Sequence, residues 1–139
     1  VSLWGNDPVQ MLPPAEMDFS RFGNVRDRLC TYDAKFLPGS LHYEQIELRL
    51  PAPLTETESG LLLSLLRDAF RAHRCRDFAR MDVRLRDGVF FILDINPNAD
   101  ISSDASMACA AEAAGYSFGA MGSRLVHLAA ARHPVFGRG

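Results

Sequence analysis

No apolar run in this sequence approaches the roughly 20 residues that a membrane-spanning helix needs, and its opening residues show no signal-peptide pattern. Cysteine is scarce. Cys30, Cys75 and Cys109 are odd in number and include no Cys-x-x-Cys pair, which argues against a disulfide framework or a zinc site. A cytoplasmic protein with free thiols is the expectation, with Cys109 a small buried residue in an Ala-rich stretch. The formal charge of −2 gives no electrostatic case for nucleic acid or an anionic membrane, so neither is expected as a partner. Also missing are a Gly-rich phosphate loop, a nucleophile elbow, an internal repeat and a low-complexity tract; Pro38-Gly39-Ser40 reads as a turn. An apolar fraction of 47% and a charged fraction of 23% in 139 residues fit one globular domain, residues 1–139, with a real core.

The chain opens on a strand-like Val1–Trp4, without Met, and is expected to enter mid-fold as the carboxy-terminal piece of a longer protein. Gly5-Asn6-Asp7-Pro8 and Pro13-Pro14 punctuate it, and Ala15–Phe19 reads as a second short strand. Ser20–Leu29 is polar and basic and reads as a long loop of the kind that is functional or disordered. Leu41–Leu50 alternates loosely and predicts an edge strand, stopped by Pro51-Ala52-Pro53. Thr55 with Glu58 forms a capping box that launches a helix to about Arg74. Leu62, Leu65, Leu66, Ala69 and His73 recur along it at helical spacing, and His73 suits the carbonyl end of the dipole. A second helix is expected from a Ser102 or Ser103 cap through Ala114, closed by Gly115, and a third from a Ser117 cap to about Arg132.

The chemistry gathers in Phe78–Ser102. Met81, Val83 and Leu85 alternate with Arg80, Asp82, Arg84 and Arg86, and Asp87-Gly88 marks a turn into Val89–Asn96, so an antiparallel hairpin is predicted. A two-residue loop puts Asp94 on the face opposite Asp82. A three-residue loop, Arg86-Asp87-Gly88, sets Leu85 against Val89 and gathers Met81, Val83, Leu85, Val89, Phe91, Leu93 and Ile95 on one apolar face. That cleaner division favours the three-residue loop. Arg80, Asp82, Arg84, Asp94 and Asn96 then share the other face with Phe90 and Ile92, and Asp82 and Asp94 are diagonal neighbours. Asp82, Asp94 and the Asn96 amide oxygen are hard donors suited to Mg²⁺ or Mn²⁺, and Arg80 could hold a phosphate oxygen. The plainer alternative is an exposed face whose acids are neutralised by Arg80, Arg84 and Arg86.

Arg80-x-Asp82, a hairpin, then Asp94-x-Asn96 resembles the metal-binding strand pair of the ATP-grasp ligases. Tyr32-Asp33-Ala34-Lys35 and Ala113–Phe118 resemble the D-alanine–D-alanine ligase branch. The resemblance covers about Val1 to Ala131. It implies an α+β fold, an antiparallel β-sheet with helices on one face, and an ATP-dependent ligase that forms a C–N bond through an acyl phosphate. It also implies ATP and Mg²⁺ (or Mn²⁺) as cofactors, metal on Asp82, Asp94 and Asn96, and phosphates on Arg80 and Lys35. Arg80 would also serve catalysis. Partners would be a small amino acid or carboxylate and the amino-terminal part of the same chain, with room for a homodimer. Two departures stand out: Asp94 where the family usually has Glu, and Pro97–Ser102 where it runs Pro-Gly-x-Thr. Asn98, Asp100 and Ser102 are the polar groups of that loop and the candidate substrate contacts. The altered loop leaves open a ligase with a different amine, or a module that binds nucleotide without turnover.

Overall fold

The computed structural model describes residues 1–32 and 37–137, with Tyr43 described by its backbone alone. Its elements run β1 (Ser2–Trp4), β2 (Gln10–Met11), β3 (Glu16–Asp18), α1 (Leu41–Gln45), β4 (Glu47–Arg49), α2 (Glu56–Ala72), β5 (Phe78–Arg86), β6 (Val89–Asn96), α3 (Ser106–Ala113) and α4 (Phe118–Ala131). A 3₁₀ turn at Val25–Asp27 interrupts the loop between β3 and α1.

Four strands form one antiparallel sheet in the order β2-β1-β5-β6. Alternation along β1 sends successive residues to opposite faces. Leu3, with Ala79 and Met81 of β5, packs on Leu62, Leu66 and Phe70 of α2. Trp4 and Phe78 pack on the opposite side with Met107, Ala110 and Ala111 of α3 and Met121 and Leu125 of α4. The α+β class and the antiparallel sheet are as expected. The long helix covers one face, and the carboxy-terminal pair seals the β1 end of the other.

The helix boundaries follow local chemistry at most ends and depart from it at two points. Thr55 accepts the Glu58 N–H at 3.2 Å and Glu58 Oε2 accepts the Thr55 N–H at 2.8 Å, so the capping box forms at the head of α2. At its other end His73 Nδ1 sits 3.0 Å from the Ala69 carbonyl. Ser117 caps α4, accepting from the Ala120 N–H. Gly115, at φ +88°, closes α3: its N–H reaches the Glu112 carbonyl and that of Tyr116 reaches Ala111, a Schellman pair. Neither Ser102 nor Ser103 starts α3, however. The Ser102 N–H is taken by Asp100 and its carbonyl by the Ala105 N–H, so the loop continues and the helix begins at Ser106 behind an uncapped Ala105.

Leu41–Leu50 is likewise divided. Its first half turns helical as α1, with the Glu44 N–H on the Ser40 carbonyl, and only Glu47–Arg49 extends. That short β4 pairs with β3, where Arg49 meets Glu16 and Asp18 across the ladder. Among the described residues, no helix is long and apolar enough to cross a membrane.

Candidate functional site

The hairpin departs from the expected register in an informative way. Its loop has two residues, not three: Arg86 pairs with Val89, and Asp87 and Gly88 both take left-handed backbone at φ +51° and +76°. Asp-Gly is well suited to that pair of conformations, whose twist matches the strands. Pairing continues as Leu85 with Phe90, Arg84 with Phe91 and Val83 with Ile92. It then skips Leu93, so that Asp82 faces Asp94, Met81 faces Ile95 and Arg80 faces Asn96. Leu93 is an unpaired bulge residue, 63% exposed.

The bulge settles the conflict that the sequence posed. From the turn to Ile92 the faces are those of a two-residue loop, so Phe90 and Ile92 join Val83 against the α2 side while Phe91 points outward beside Arg84. Past Leu93 the parity reverses. Met81 and Ile95 lie in the core, and Arg80, Asp82, Asp94 and Asn96 share the other face. The expected company of acids, Arg80 and Asn96 forms, while the expected places of Phe90, Phe91, Ile92 and Leu93 are reversed or lost. The signal was present in the sequence: an Asp-Gly turn, followed by an apolar run with no alternation, can reconcile both faces only through a bulge.

Asp82 and Asp94 are therefore directly opposite rather than diagonal, the closer arrangement for two carboxylates. Arg80 holds Asp82 through Nε at 3.1 Å and Nη2 at 3.4 Å. Among the described residues no hydrogen bond or ion pair engages the exposed Asp94 carboxylate. Asn96 Oδ1 accepts the Asn98 N–H at 2.9 Å, which fixes the amide's orientation and leaves a lone pair on the oxygen.

The loop that follows is held by its own side chains. Asp100 Oδ1 accepts the Ser102 N–H at 2.8 Å. The Asp100 carboxyl is held below its ordinary pKa, first by that backbone bond and then by the Ser102 hydroxyl, with a smaller contribution from the charge of Arg80. Asn98, Asp100 and Ser102 are all exposed, and Ala99 is the buried anchor between them. Among the described residues, no group of three or more His, Cys, Asp or Glu side chains is spaced to hold a metal, so a cation here would rest on two carboxylates and an amide. Lys35, with Asp33 and Ala34 of its motif, lies outside the described residues. His127 and His133 are exposed.

A family model described as "D-ala D-ala ligase C-terminus" matches residues 1–127. The chain belongs to that family. The match covers the hairpin, its loop and most of α4, and it bears out the ATP-grasp resemblance read from Arg80-x-Asp82 and Asp94-x-Asn96. Among relatives, the chain is 34% identical over its whole length to the uncharacterized protein y4sG of Sinorhizobium fredii, spanning 39% of that protein. It is 34% identical over 109 residues (78% of the chain) to the D-alanine–D-alanine ligase of Pseudothermotoga lettingae and covers 33% of it. With the enzyme of the same name from Desulforudis audaxviator it shares 38% over 101 residues, 73% of the chain and 31% of the relative. The chain thus spans about a third of the length of these relatives. A crystal structure of the D-alanine–D-alanine ligase of Bacillus anthracis complexed with ATP overlays 57% of this chain and 28% of its own, with a TM-score of 0.55 at 16% identity, which supports the fold.

Proposed function

We propose that this D-Ala–D-Ala ligase-family chain supplies the metal side of an ATP- and Mg²⁺-dependent carboxylate–amine ligase. One observation carries the reading: Asp82 stands directly across from Asp94, beside the Arg80–Asn96 pair, on one face of the sheet. Two opposed carboxylates with one guanidinium, bonded to Asp82 alone, carry a net negative charge, and a divalent cation is the economical way to neutralise it. The donor set fits a hard cation. Asp82, Asp94 and the Asn96 oxygen would hold Mg²⁺ (or Mn²⁺), which completes its shell with phosphate oxygens. When bound, the ion would offset charge on a phosphoryl group passing from ATP to a substrate carboxylate.

The chain's own groups then have separate tasks. Arg80 holds the Asp82 carboxylate in place, and its remaining N–H groups would reach a phosphate oxygen. Lys35 would bring a second cation to the phosphates. The acyl phosphate would be attacked by an amine in front of Asn98–Ser102, forming the C–N bond and releasing phosphate. The acceptor we propose is D-alanine, with a different amine as the alternative that the altered loop raises, since it presents the exposed Asp100, whose carboxyl is held below its ordinary pKa by the Ser102 N–H. We take the rest of the enzyme, in a preceding part of the same chain, to supply the remaining nucleotide contacts, and we place the work in the cytoplasm.

The test is phosphate release from Mg-ATP by the whole protein across a panel of amino acids and amines that includes D-alanine. Asp82→Ala and Asp94→Ala should each lower metal-dependent turnover by about 10²–10³-fold, the scale of losing one electrostatic element of a transition-state site. Release with D-alanine assigns that acceptor; release with another amine keeps the mechanism and reassigns it. A folded protein that releases no phosphate with any acceptor would sink the ligase reading in favour of a binding module, and variants that match wild type would remove the metal site.

A further inference from the structure

Arg84 makes contacts that the metal face does not explain. It lies two residues beyond Asp82 on the same face of β5 and is half-buried. Its guanidinium stands 4.8 Å over the ring of Phe19, and its Nη2 donates to the Arg28 carbonyl at 2.6 Å, a partner 56 residues away in the chain. Both contacts fall on one segment, Phe19–Leu29. That segment is internally folded. Arg28 reaches back through Nε and Nη2 to the Phe22 carbonyl at 3.1 and 3.0 Å, and Asn24 caps the 3₁₀ turn by accepting the Arg26 N–H at 3.0 Å. His42 of α1 stacks on Phe22 at 5.0 Å, with Nε2 3.0 Å from the Asp27 carbonyl. Phe19 and Phe22 are buried in a stretch that is otherwise mostly exposed. Arg84 joins this folded unit to the strand that carries Asp82.

We propose that Arg84 is a positioning residue: it fastens Phe19–Leu29 to the metal strand and so couples nucleotide affinity to that strand. The segment leads in sequence into Tyr32-Asp33-Ala34-Lys35, the nucleotide-side motif, so the coupling rests on the function proposed above while the fastening does not. A guanidinium suits both contacts at once, because its flat face lies on the ring while an in-plane N–H reaches the carbonyl. A lysine can keep only one of them.

Two readouts on the whole protein separate these parts. In Arg84→Met, trypsin should cut after Arg21, Arg26 and Arg28 about tenfold faster than in wild type, the scale of one lost charge-assisted contact, with Tm near wild type. The KM for ATP should rise by about tenfold with kcat held within about twofold, and Arg84→Lys should fall between wild type and Arg84→Met on both scales. Cleavage in Arg84→Met at the wild-type rate would overturn the fastening. Faster cleavage with an unchanged KM would overturn the coupling. A wild-type protein that turns over no ATP would instead remove the function proposed above, and the trypsin comparison would still decide whether Arg84 fastens the segment.

Discussion

Opposed carboxylates on neighbouring antiparallel strands repel, and a protein that keeps them tolerates a local cost for another purpose. Here Arg80 offsets Asp82, and among the described residues Asp94 has no cation beside it. Asp94→Asn should therefore stabilise the metal-free protein slightly, by roughly 0.2–0.5 kcal/mol, since both acids are solvated. Mg²⁺ is expected to raise the Tm of wild type, and the same change should abolish that rise. Thermal denaturation with chelator and with Mg²⁺ checks both halves; a variant that is less stable than wild type in chelator would count against the charge argument. At this scale the sequence showed which residues gather, because the type and spacing of Arg80, Asp82, Asp94 and Asn96 put them on one face. The lack of a partner for Asp94 among the described residues, and the Arg84 contacts to Phe19 and Arg28, were not legible. They depend on residues distant in the chain.

The hairpin carries the lesson at the scale of elements. Period-two alternation predicts faces only while the ladder is unbroken, and one unpaired residue reverses every face beyond it. Leu93 does this between Val83–Ile92 and Asp82–Asp94, so a loop of either length puts Asp94 beside Asp82 if the bulge is chosen to suit. Deleting Leu93 should remove the bulge and keep the company of residues: Ile92 would still face Val83, and Asp94 would follow at once opposite Asp82. Because Leu93 is mostly exposed and unpaired, the deletion should change stability by no more than about 1 kcal/mol. Denaturant unfolding tests this, and amide exchange along β5 reports whether the register survives. A deletion that unfolds the hairpin would show that the bulge supplies a bend the sheet needs. The capped helices α2 and α4 were readable for the opposite reason: Thr55, Glu58 and Ser117 act within four residues of themselves.

The whole molecule is tied at Asp77, which has φ +65° and sits just before β5. Its backbone N–H donates to Asn6 Oδ1 at 2.8 Å, its carbonyl accepts the Gly5 N–H at 2.8 Å, and its carboxylate takes Asn6 Nδ2 and the fork of Arg132 at the end of α4. One residue thus joins the β1 loop, the central strand and the last helix. Hydrogen bonds from Arg132 are the main reason its pKa lies below the usual carboxylate value, with Asn6 adding to them against partial burial. The folded state binds this proton less readily than the unfolded chain, whose value is about 3.9. The stabilisation is therefore complete above that pH and is lost as acid carries the solution down through the folded value. Asp77→Asn, which keeps tolerance of the left-handed backbone, should cost about 1–2 kcal/mol at neutral pH. It should also flatten the acid limb of stability. Urea unfolding at pH 7 and at successively lower pH measures both; an unchanged acid limb would remove Asp77 from that role.

What the sequence determined by itself was what acts over short range or by residue type: the hairpin, the caps of α2 and α4, the free thiols, the hard-oxygen residues of the strand pair and the family motifs. The tertiary structure alone decided which face each hairpin residue occupies, the splitting of Leu41–Leu50 into α1 and β4, and the junctions at Arg84 and Asp77. The physical reason is common to all of these. A strand's register, an exposed segment's secondary structure and an ion pair across 55 residues are settled by partners that local propensity does not contain.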